Sequence, residues 1–188
     1  MTNGPVGNMP STAPTTPHAE LPTLAEPNGS GAMLRFRERV RARTGTAELL
    51  AFRLGRERFA FDVRALDEAL ESPAVGPVPV GGASILAGLL RHGERSIPVF
   101  DTGRVLGVPG APGAHVLVMR SGSRRIGLLV DEVDDVITLD LGAIKPPPFD
   151  AGDDLLLGVT WGTDDLTAIL DARALITLCQ QRAPETGA

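Results

Sequence analysis

The sequence is poor in aromatic and redox-active residues. It contains no tyrosine, one tryptophan and a single cysteine, Cys179. A lone cysteine excludes an internal disulfide and is typical of a reducing compartment. Because aromatics are scarce and the formal net charge is -5, we expect no nucleic-acid binding. No apolar run is long enough to cross a membrane, and the first residues lack the pattern of a secretory signal. We therefore expect a cytoplasmic protein without direct membrane insertion.

Motifs for catalysis are also missing. The three histidines, His18, His92 and His115, show neither a metal-ligand spacing nor a triad arrangement. The sequence has no phosphate-binding loop, nucleophile elbow or dinucleotide fingerprint. The densest acidic cluster, at 131–135, lacks the spacing of a calcium loop, and we interpret it as a solvated face. We therefore expect no catalytic residues, no cofactor and no metal; a small enzyme or metal protein that uses this cluster is the alternative.

What the sequence does contain is an internal duplication. Residues 50–70 align with residues 117–137 at a constant offset of 67, and residues 87–106 align with residues 157–176 at an offset of 70. Two blocks in the same order and at nearly the same offset indicate a duplicated unit. A unit of this length is too long for a solenoid repeat and suits a pair of small domains or half-domains.

Each copy of the unit is predicted to be a small β structure. Apolar residues alternate on both sides of Gly55 and Gly122, which predicts a hairpin in each copy, and a brief helical turn is expected after each one, over 63–70 and 133–137. The second block predicts another strand pair ending at Asp101 or Asp171, and each aspartate is expected to cap a short helix. Proline-rich segments at 73–79 and 144–148 allow only edge or irregular strands.

Four or five short strands per unit usually close into a barrel, because closure removes exposed edges. The predicted fold class is therefore all-β dominated, with two five-stranded barrel subdomains related by duplication, short helices and a C-terminal helix. We expect a domain over 46–179, with the first barrel at about 46–109 and the second at about 110–179, followed by a flexible tail at 180–188.

The segments before residue 46 differ from this body. Residues 1–32 hold six prolines among small polar residues, which predicts a disordered tail. Residues 33–45 carry five arginines and one glutamate, and Met33, Phe36 and Val40 have the spacing of a basic amphipathic helix. Such a helix either contacts an acidic partner or anionic membrane, or docks lightly on the first barrel; we favour the second interpretation.

The junction between the two units is the expected place for a binding groove. Small or apolar residues, Ala60, Gly127 and Leu129, are expected on the strand faces turned away from the core. Gly88 and Gly158, which correspond in the repeat, lie inside predicted strands. A glycine in a strand marks either close approach by another backbone or a bulge at a barrel corner, and the sequence leaves both interpretations open.

These segments together resemble the CheW-like coupling proteins of bacterial chemotaxis. The resemblance runs from about Glu48 to Leu178, through LLAFRLGRERFAFDVRALDEAL at 49–70, IPVFD at 97–101, RRIGLLVDEVDDVITL at 124–139, IKPPP at 144–148 and LLGVTWGTDDLTAILDARALI at 156–176. It implies two SH3-like barrels and a non-catalytic adaptor that couples the cytoplasmic tip of a chemoreceptor to the regulatory domain of a CheA-type histidine kinase, at receptor arrays. The residues that match the family's receptor-groove positions are Val63, Leu66, Gly88, Val116, Gly127 and Gly158.

One turn departs from the family pattern. Members of the family typically carry N-L-R-G before the P-V-x-D strand, whereas this chain has Arg91, His92, Gly93 and Glu94. The alternative hypothesis is therefore a stand-alone or accessory module that binds only the receptor or only the kinase.

Overall fold

The computed structural model describes residues 1–2, 31–42, 44–77, 84–108, 113–122, 124–147, 154–162 and 165–183. Most of the predicted tail at 1–32 lies outside these residues, as does 184–188. The strands and α-helices of the described chain are α1 (Gly31–Arg41), β1 (Thr46–Leu54), β2 (Glu57–Asp62), β3 (Leu66–Glu71), β4 (Val75–Gly76), β5 (Leu86–His92), β6 (Arg95–Asp101), α2 (Thr102–Leu106), β7 (His115–Ser121), β8 (Arg124–Val130), β9 (Glu132–Asp140), β10 (Leu156–Trp161), β11 (Leu166–Leu170) and α3 (Ala172–Arg182). The mostly-β fold class is confirmed.

The strands form two sheets. The first, which we call barrel 1, has the order β10-β11-β2-β1-β9, and the second, barrel 2, has the order β3-β7-β8-β6-β5-β4. Each contains two antiparallel hairpins joined by one parallel pair, β2 with β11 in barrel 1 and β6 with β8 in barrel 2. The repeat is therefore visible in the topology as well as in the sequence.

The predicted boundary between the barrels, at 109/110, is wrong. Barrel 1 combines the β1-β2 hairpin with β9, β10 and β11, while barrel 2 combines the β7-β8 hairpin with β3 to β6. Each barrel thus takes its first hairpin from one copy of the repeat and its remaining strands from the other. Sequence alignment detects the repeat but does not show this exchange, because the exchange changes only the partner of each strand.

The helical turns predicted after the first hairpins are also largely wrong. In the first copy, one short 3-10 turn at Val63–Ala65 leads directly into β3, and in the second copy β8 leads into β9. β9 pairs with β1 from Thr46↔Asp140 to Arg53↔Glu132, and it carries β-branched residues such as Val133, Val136 and Ile137. Pairing with an extended neighbour outweighs apolar spacing in so short a segment.

In each barrel the chain returns from one edge of the sheet to the other, and this return explains two strand glycines. After β9, Lys145 returns to form a bridge with Val159 of β10; after β3, the chain returns as β4 to pair with β5. A Cβ on Gly158 would lie 2.5 Å from the carbonyl oxygen of Lys145, and one on Gly88 would lie 2.4 Å from that of Gly76. Both glycines also follow a register shift in their strands. The sequence left open whether Gly88 and Gly158 mark a bulge or a close approach of another backbone. In the structure both features occur at each of these glycines.

Three groups of apolar side chains hold the domain together. One lies inside each barrel, and the largest lies between the barrels and includes α2 and α3. β1 contributes side chains to two of these apolar groups. Leu49 and Ala51 face the interior of barrel 1, whereas Leu50, Phe52 and Leu54 face the core between the barrels. Because consecutive side chains point to opposite faces, both faces of such a strand are buried.

The predicted basic helix exists as α1, and its contact with barrel 1 is close rather than light. Met33, Phe36 and Val40 are at most 3% exposed and join the interior group of barrel 1. The helix is also held by polar contacts: Arg37 Nη2 donates to the Ile144 carbonyl at 3.3 Å, and Arg39 lies 3.8 Å from Asp171. α1 therefore forms the cover of one end of barrel 1.

Both predicted aspartate caps are confirmed. Asp101 accepts a hydrogen bond from the Arg104 N–H at 3.0 Å, and Asp171 accepts from the N–H groups of Arg173 and Ala174. α3 continues to Arg182, three residues past the predicted domain end at 179. Cys179 is buried between the barrels, and burial raises the pKa of its thiol to about 12, which fits a packing role.

The packing of α1 yields a test on two residues of the same helix. Replacing Phe36 with alanine removes a side chain that is 1% exposed, so we expect a loss of roughly 3 kcal/mol in the free energy of unfolding. Leu34→Ala, at a position that is 56% exposed, should change it by less than about 0.5 kcal/mol. Urea denaturation of both variants measures the difference, and equal losses would contradict the assigned packing.

Candidate functional site

Two of the predicted groove residues lie at the margin of the core between the barrels. Val63 begins the short turn through which the chain passes from β2 of barrel 1 to β3 of barrel 2, and Leu66 begins β3. Both side chains are half-buried and pack against the core between the barrels. Asp62 fixes the turn by accepting a hydrogen bond from the Arg64 N–H at 3.1 Å. These two apolar side chains are therefore held at the junction, with part of their surface open to a partner.

The other four predicted groove residues are buried. Val116 and Gly127 lie inside barrel 2, where a Cβ on Gly127 would come within 2.8 Å of Val116. Gly88 and Gly158 are the strand glycines described above, against which the backbone of Gly76 or Lys145 packs. All four residues are therefore packed within the barrels and are not exposed at the junction. The expectation of outward faces for Ala60, Gly127 and Leu129 is wrong: Ala60 is buried inside barrel 1, Gly127 lies inside barrel 2, and Leu129 is half-buried against the interior group of barrel 2.

The divergent turn at 91–94 joins β5 to β6 and contacts β3. Gly93 adopts a left-handed conformation with φ +62°, as a tight hairpin requires. The neighbouring His92 places its Nε2 2.7 Å from a carboxylate oxygen of Glu68. β3 is one edge strand of the sheet and β5 pairs with the other edge strand, β4, so this contact joins the two ends of the sheet. Arg91 and Glu94 are exposed.

One carboxylate of β3, that of the residue before Glu68, accepts hydrogen bonds from two arginine side chains. Asp67, whose side chain is 8% exposed, accepts hydrogen bonds from Arg120 and from Arg125 Nε, the latter at 2.7 Å. The bond from Arg120 contributes most to lowering the pKa of Asp67, and burial of the carboxyl opposes it. The network ties β3 to the β7-β8 hairpin and leaves the arginine side chains at the surface.

A cleft opens on the outer face of barrel 2, beside the C-terminal end of α3. It has a volume of about 910 Å³. Its lining combines apolar side chains with a rim of arginines: Leu86, Ile97, Pro98, Phe100, Ile126 and Ala183, with Arg95, Arg124 and Arg125, and also Ser96 and Gln180. The parallel pairing of β6 and β8 brings the two hairpin ends together and so gathers these arginines. The sequence does not reveal the cleft, since its walls come from four separate segments.

The corresponding end of barrel 1 has a different character. Trp161 is 73% exposed and is paired across the hairpin with Leu166, which is 41% exposed. Their repeat counterparts in barrel 2 are Arg91 and Ser96. The two copies have therefore diverged at their hairpin ends, from apolar in barrel 1 to basic in barrel 2.

The acidic cluster at 131–135 is used in structural contacts. Asp131 Oδ2 accepts a hydrogen bond from the Gly55 N–H at 2.5 Å, and Asp134 Oδ2 lies 2.7 Å from Arg58 Nε and 3.6 Å from Arg53 Nε. Arg53 also donates to Asp165 at 2.6 Å, and this bond is the main reason that the pKa of Arg53 is raised. Across the described ranges, no group of three or more potential ligands is arranged to hold a metal ion.

Comparison with known proteins agrees with this architecture. A family model described as the CheW-like domain matches residues 48–180. The chain belongs to the CheW-like family. Chemotaxis protein CheW of Rhizobium meliloti (strain 1021) is 33% identical over 112 residues, which cover 58% of this chain and 72% of that protein. A probable chemotaxis protein CheW of Rhizobium etli is 32% identical over 107 residues, covering 55% and 68%.

A solved structure shows the same fold. The scaffolding protein TtCheW from Thermoanaerobacter tengcongensis aligns with a TM-score of 0.60 and 22% identity, over 69% of this chain and 91% of that chain. Both sheets fall within residues 48–180 apart from the first two residues of β1, whereas α1 precedes the match. The two-barrel body is therefore the family's domain, and α1 lies before the matched region.

The Asp67 network gives a pH-dependent prediction. The pKa of Asp67 is lowered in the folded protein, so its stabilising contribution is present above the pKa of the unfolded carboxyl, about 3.9, and is lost as pH falls through the folded value. Asp67→Asn should lower the free energy of unfolding at pH 7 by about 1 kcal/mol, because the arginines are largely exposed.

Thermal unfolding from pH 7 down to pH 2 measures this difference. It should shrink at the acidic end of the range. A difference that stays constant with pH would contradict the assigned ion pairs. Glu48→Gln is the matched control. Glu48 forms an exposed ion pair with Arg64 at 3.4 Å, so this substitution should change the stability little at any pH.

Proposed function

We propose that this chain couples the cytoplasmic tip of a chemoreceptor to the regulatory domain of a CheA-type histidine kinase. As a member of the CheW-like family it is an adaptor of chemotaxis-type signalling, and that family is one of non-catalytic scaffolds. The observation that carries the proposal is the match of one CheW-like domain to both barrels together. A scaffold of this kind acts by binding, so its function depends on surfaces rather than on reactive groups.

The receptor contact is proposed at the junction of the barrels. Val63 and Leu66 are half-buried there and sit on a short, capped turn, so their positions are set by the core beneath them. An apolar groove of this type suits one face of an amphipathic helix. The buried Gly88, Val116, Gly127 and Gly158 support this surface by fixing how closely the strands approach one another.

The kinase contact is proposed at the cleft on barrel 2. Its apolar floor, including Pro98 and Phe100, would bury apolar side chains of the kinase domain, while Arg95 and Arg124 at the rim would pair with acidic groups. Charged residues at a rim contribute to orientation and association rate more than to affinity. The divergent turn at 91–94 lies directly beside this cleft, so we expect it to influence which kinase is bound.

The remaining proposals concern where the protein acts in the cell and whether it binds one partner or both. Among the described residues no helix is long and apolar enough to span a membrane. We propose that the protein acts in the cytoplasm, at receptor arrays. Membership of the family favours an adaptor that binds both partners over the alternative of a module that binds only one.

The receptor surface is tested at Leu66. Leu66→Arg places a charge on the proposed apolar contact and should weaken binding to a purified receptor tip fragment by roughly tenfold or more. Leu34→Arg, the same change at an exposed leucine of α1, should leave binding unchanged. Co-sedimentation with receptor fragments measures both, with circular dichroism as the folding control. Equal binding by folded Leu66→Arg would remove the groove assignment.

The kinase surface is tested by charge reversal. The double variant Arg95→Glu and Arg124→Glu should weaken binding to the kinase regulatory domain by about tenfold and reduce its dependence on salt. Arg41→Glu, on α1, is the matched control because Arg41 is exposed and lies outside the cleft. Isothermal titration at two salt concentrations measures the effect, and an unchanged affinity of the double variant would place the kinase elsewhere.

A further inference from the structure

The chain leaves α3 directly at the cleft on barrel 2. α3 ends at Arg182, and the next residue, Ala183, is half-buried in the lining of the cleft. Ala183 has an extended backbone, with φ -62° and ψ 138°, as a residue before proline prefers, and Pro184 follows it. The Ala183 N–H donates to the Cys179 carbonyl at 3.0 Å, and Arg182 Nη1 donates to the Val105 carbonyl at 2.7 Å. The exit point of the chain is therefore fixed at the edge of the cleft.

Two arginines at the rim of the cleft lack an acidic partner among the described residues. Arg125 pairs with Asp67, whereas Arg95 and Arg124 are exposed and form no ion pair with any residue that the structure describes. None of the described residues that line the cleft is acidic, and Glu94, which precedes Arg95 in the turn, is not among them. The cleft is thus a positively charged depression that attracts a carboxylate.

A carboxylate follows the exit point by two residues. Glu185 is the first acidic residue after Ala183, and it lies outside the described residues. Two residues of extended chain span at most about 7 Å, and Pro184 stiffens this tether by fixing its φ angle. Because Ala183 and the arginines line the same cleft of about 910 Å³, the tether confines the Glu185 carboxylate to the neighbourhood of the rim. Such a short tether gives a high effective concentration, so even a weak ion pair forms in a large fraction of the molecules.

We propose that Arg95 and Arg124 hold Glu185 in the free protein, so that the segment from Pro184 onward covers the arginine rim of the cleft. The inference rests on the proposed kinase contact and adds a regulation of that site, because the kinase domain must displace this segment before its own acidic groups reach the arginines. An exposed ion pair is weak and screened by salt, so the cover lowers the affinity for the kinase without closing the cleft. The segment follows the region matched by the family model, which ends at residue 180.

The contact itself is tested on the full chain without any kinase. The Nε–Hε signals of the arginines are followed by NMR in the ¹⁵N-labelled protein and in Glu185→Gln. At low salt the signals of Arg95 and Arg124 should differ between the two proteins, and the difference should shrink as salt is added. The matched control is Glu38→Gln, which removes an exposed carboxylate from α1 and should leave both signals in place. Unchanged signals in Glu185→Gln would overturn the proposal.

The regulation is tested by isothermal titration with the kinase regulatory domain at low salt. Glu185→Gln should raise the affinity by roughly threefold, whereas Glu38→Gln should not change it. The double variant Arg95→Gln and Arg124→Gln should bind more weakly, and adding Glu185→Gln to it should give no gain, because the arginines that Glu185 covers are absent.

The same titrations separate the two proposals. If the double arginine variant binds more weakly but Glu185→Gln binds no better than the wild type, the cover is overturned and the kinase site stands. If the double arginine variant binds as tightly as the wild type, the kinase site is overturned and the regulation falls with it, while the NMR signals still decide whether Glu185 contacts the rim.

Discussion

The structure depends on the exchange of strands between the two copies of the repeat. The β1-β2 hairpin forms barrel 1 only with β9, β10 and β11, and the β7-β8 hairpin forms barrel 2 only with strands from the first copy. β1 and β8 are largely buried on both faces, because one side of each strand packs inside its own barrel and the other side packs in the core between the barrels. Neither copy can therefore bury its apolar residues alone, and the two barrels form one folding unit.

This constraint fixes where partners can bind. The chain must cross between the barrels after β2 and after β8, and the first crossing holds Val63 and Leu66 at the junction. The arginine-rimmed cleft likewise exists because β6 and β8, from different copies, run parallel and side by side. The candidate surfaces are thus products of the exchange and not of either repeat by itself, which suits a protein that acts as a rigid bridge.

Divergence between the copies then makes the two barrels unequal. Barrel 1 has small interior residues and is covered by α1, which precedes the family domain, while barrel 2 has larger interior residues. At the hairpin ends, Trp161 stands where barrel 2 has Arg91. A duplicated scaffold with one shape used twice can in this way present different chemistry to different partners.

The local structure follows from patterns within short stretches of the sequence. Alternating apolar residues around Gly55 and Gly122 specified the hairpins, Asp101 and Asp171 specified the helix caps, and the spacing of Met33, Phe36 and Val40 specified α1. These features depend on neighbours within a few residues, so they are readable from the chain. Three features follow instead from long-range pairing: β9 is a strand, Ala60 and Gly127 face inward, and the barrels exchange strands. Those outcomes depend on which distant strand supplies the hydrogen bonds, and the pattern of a single strand is the same for either partner.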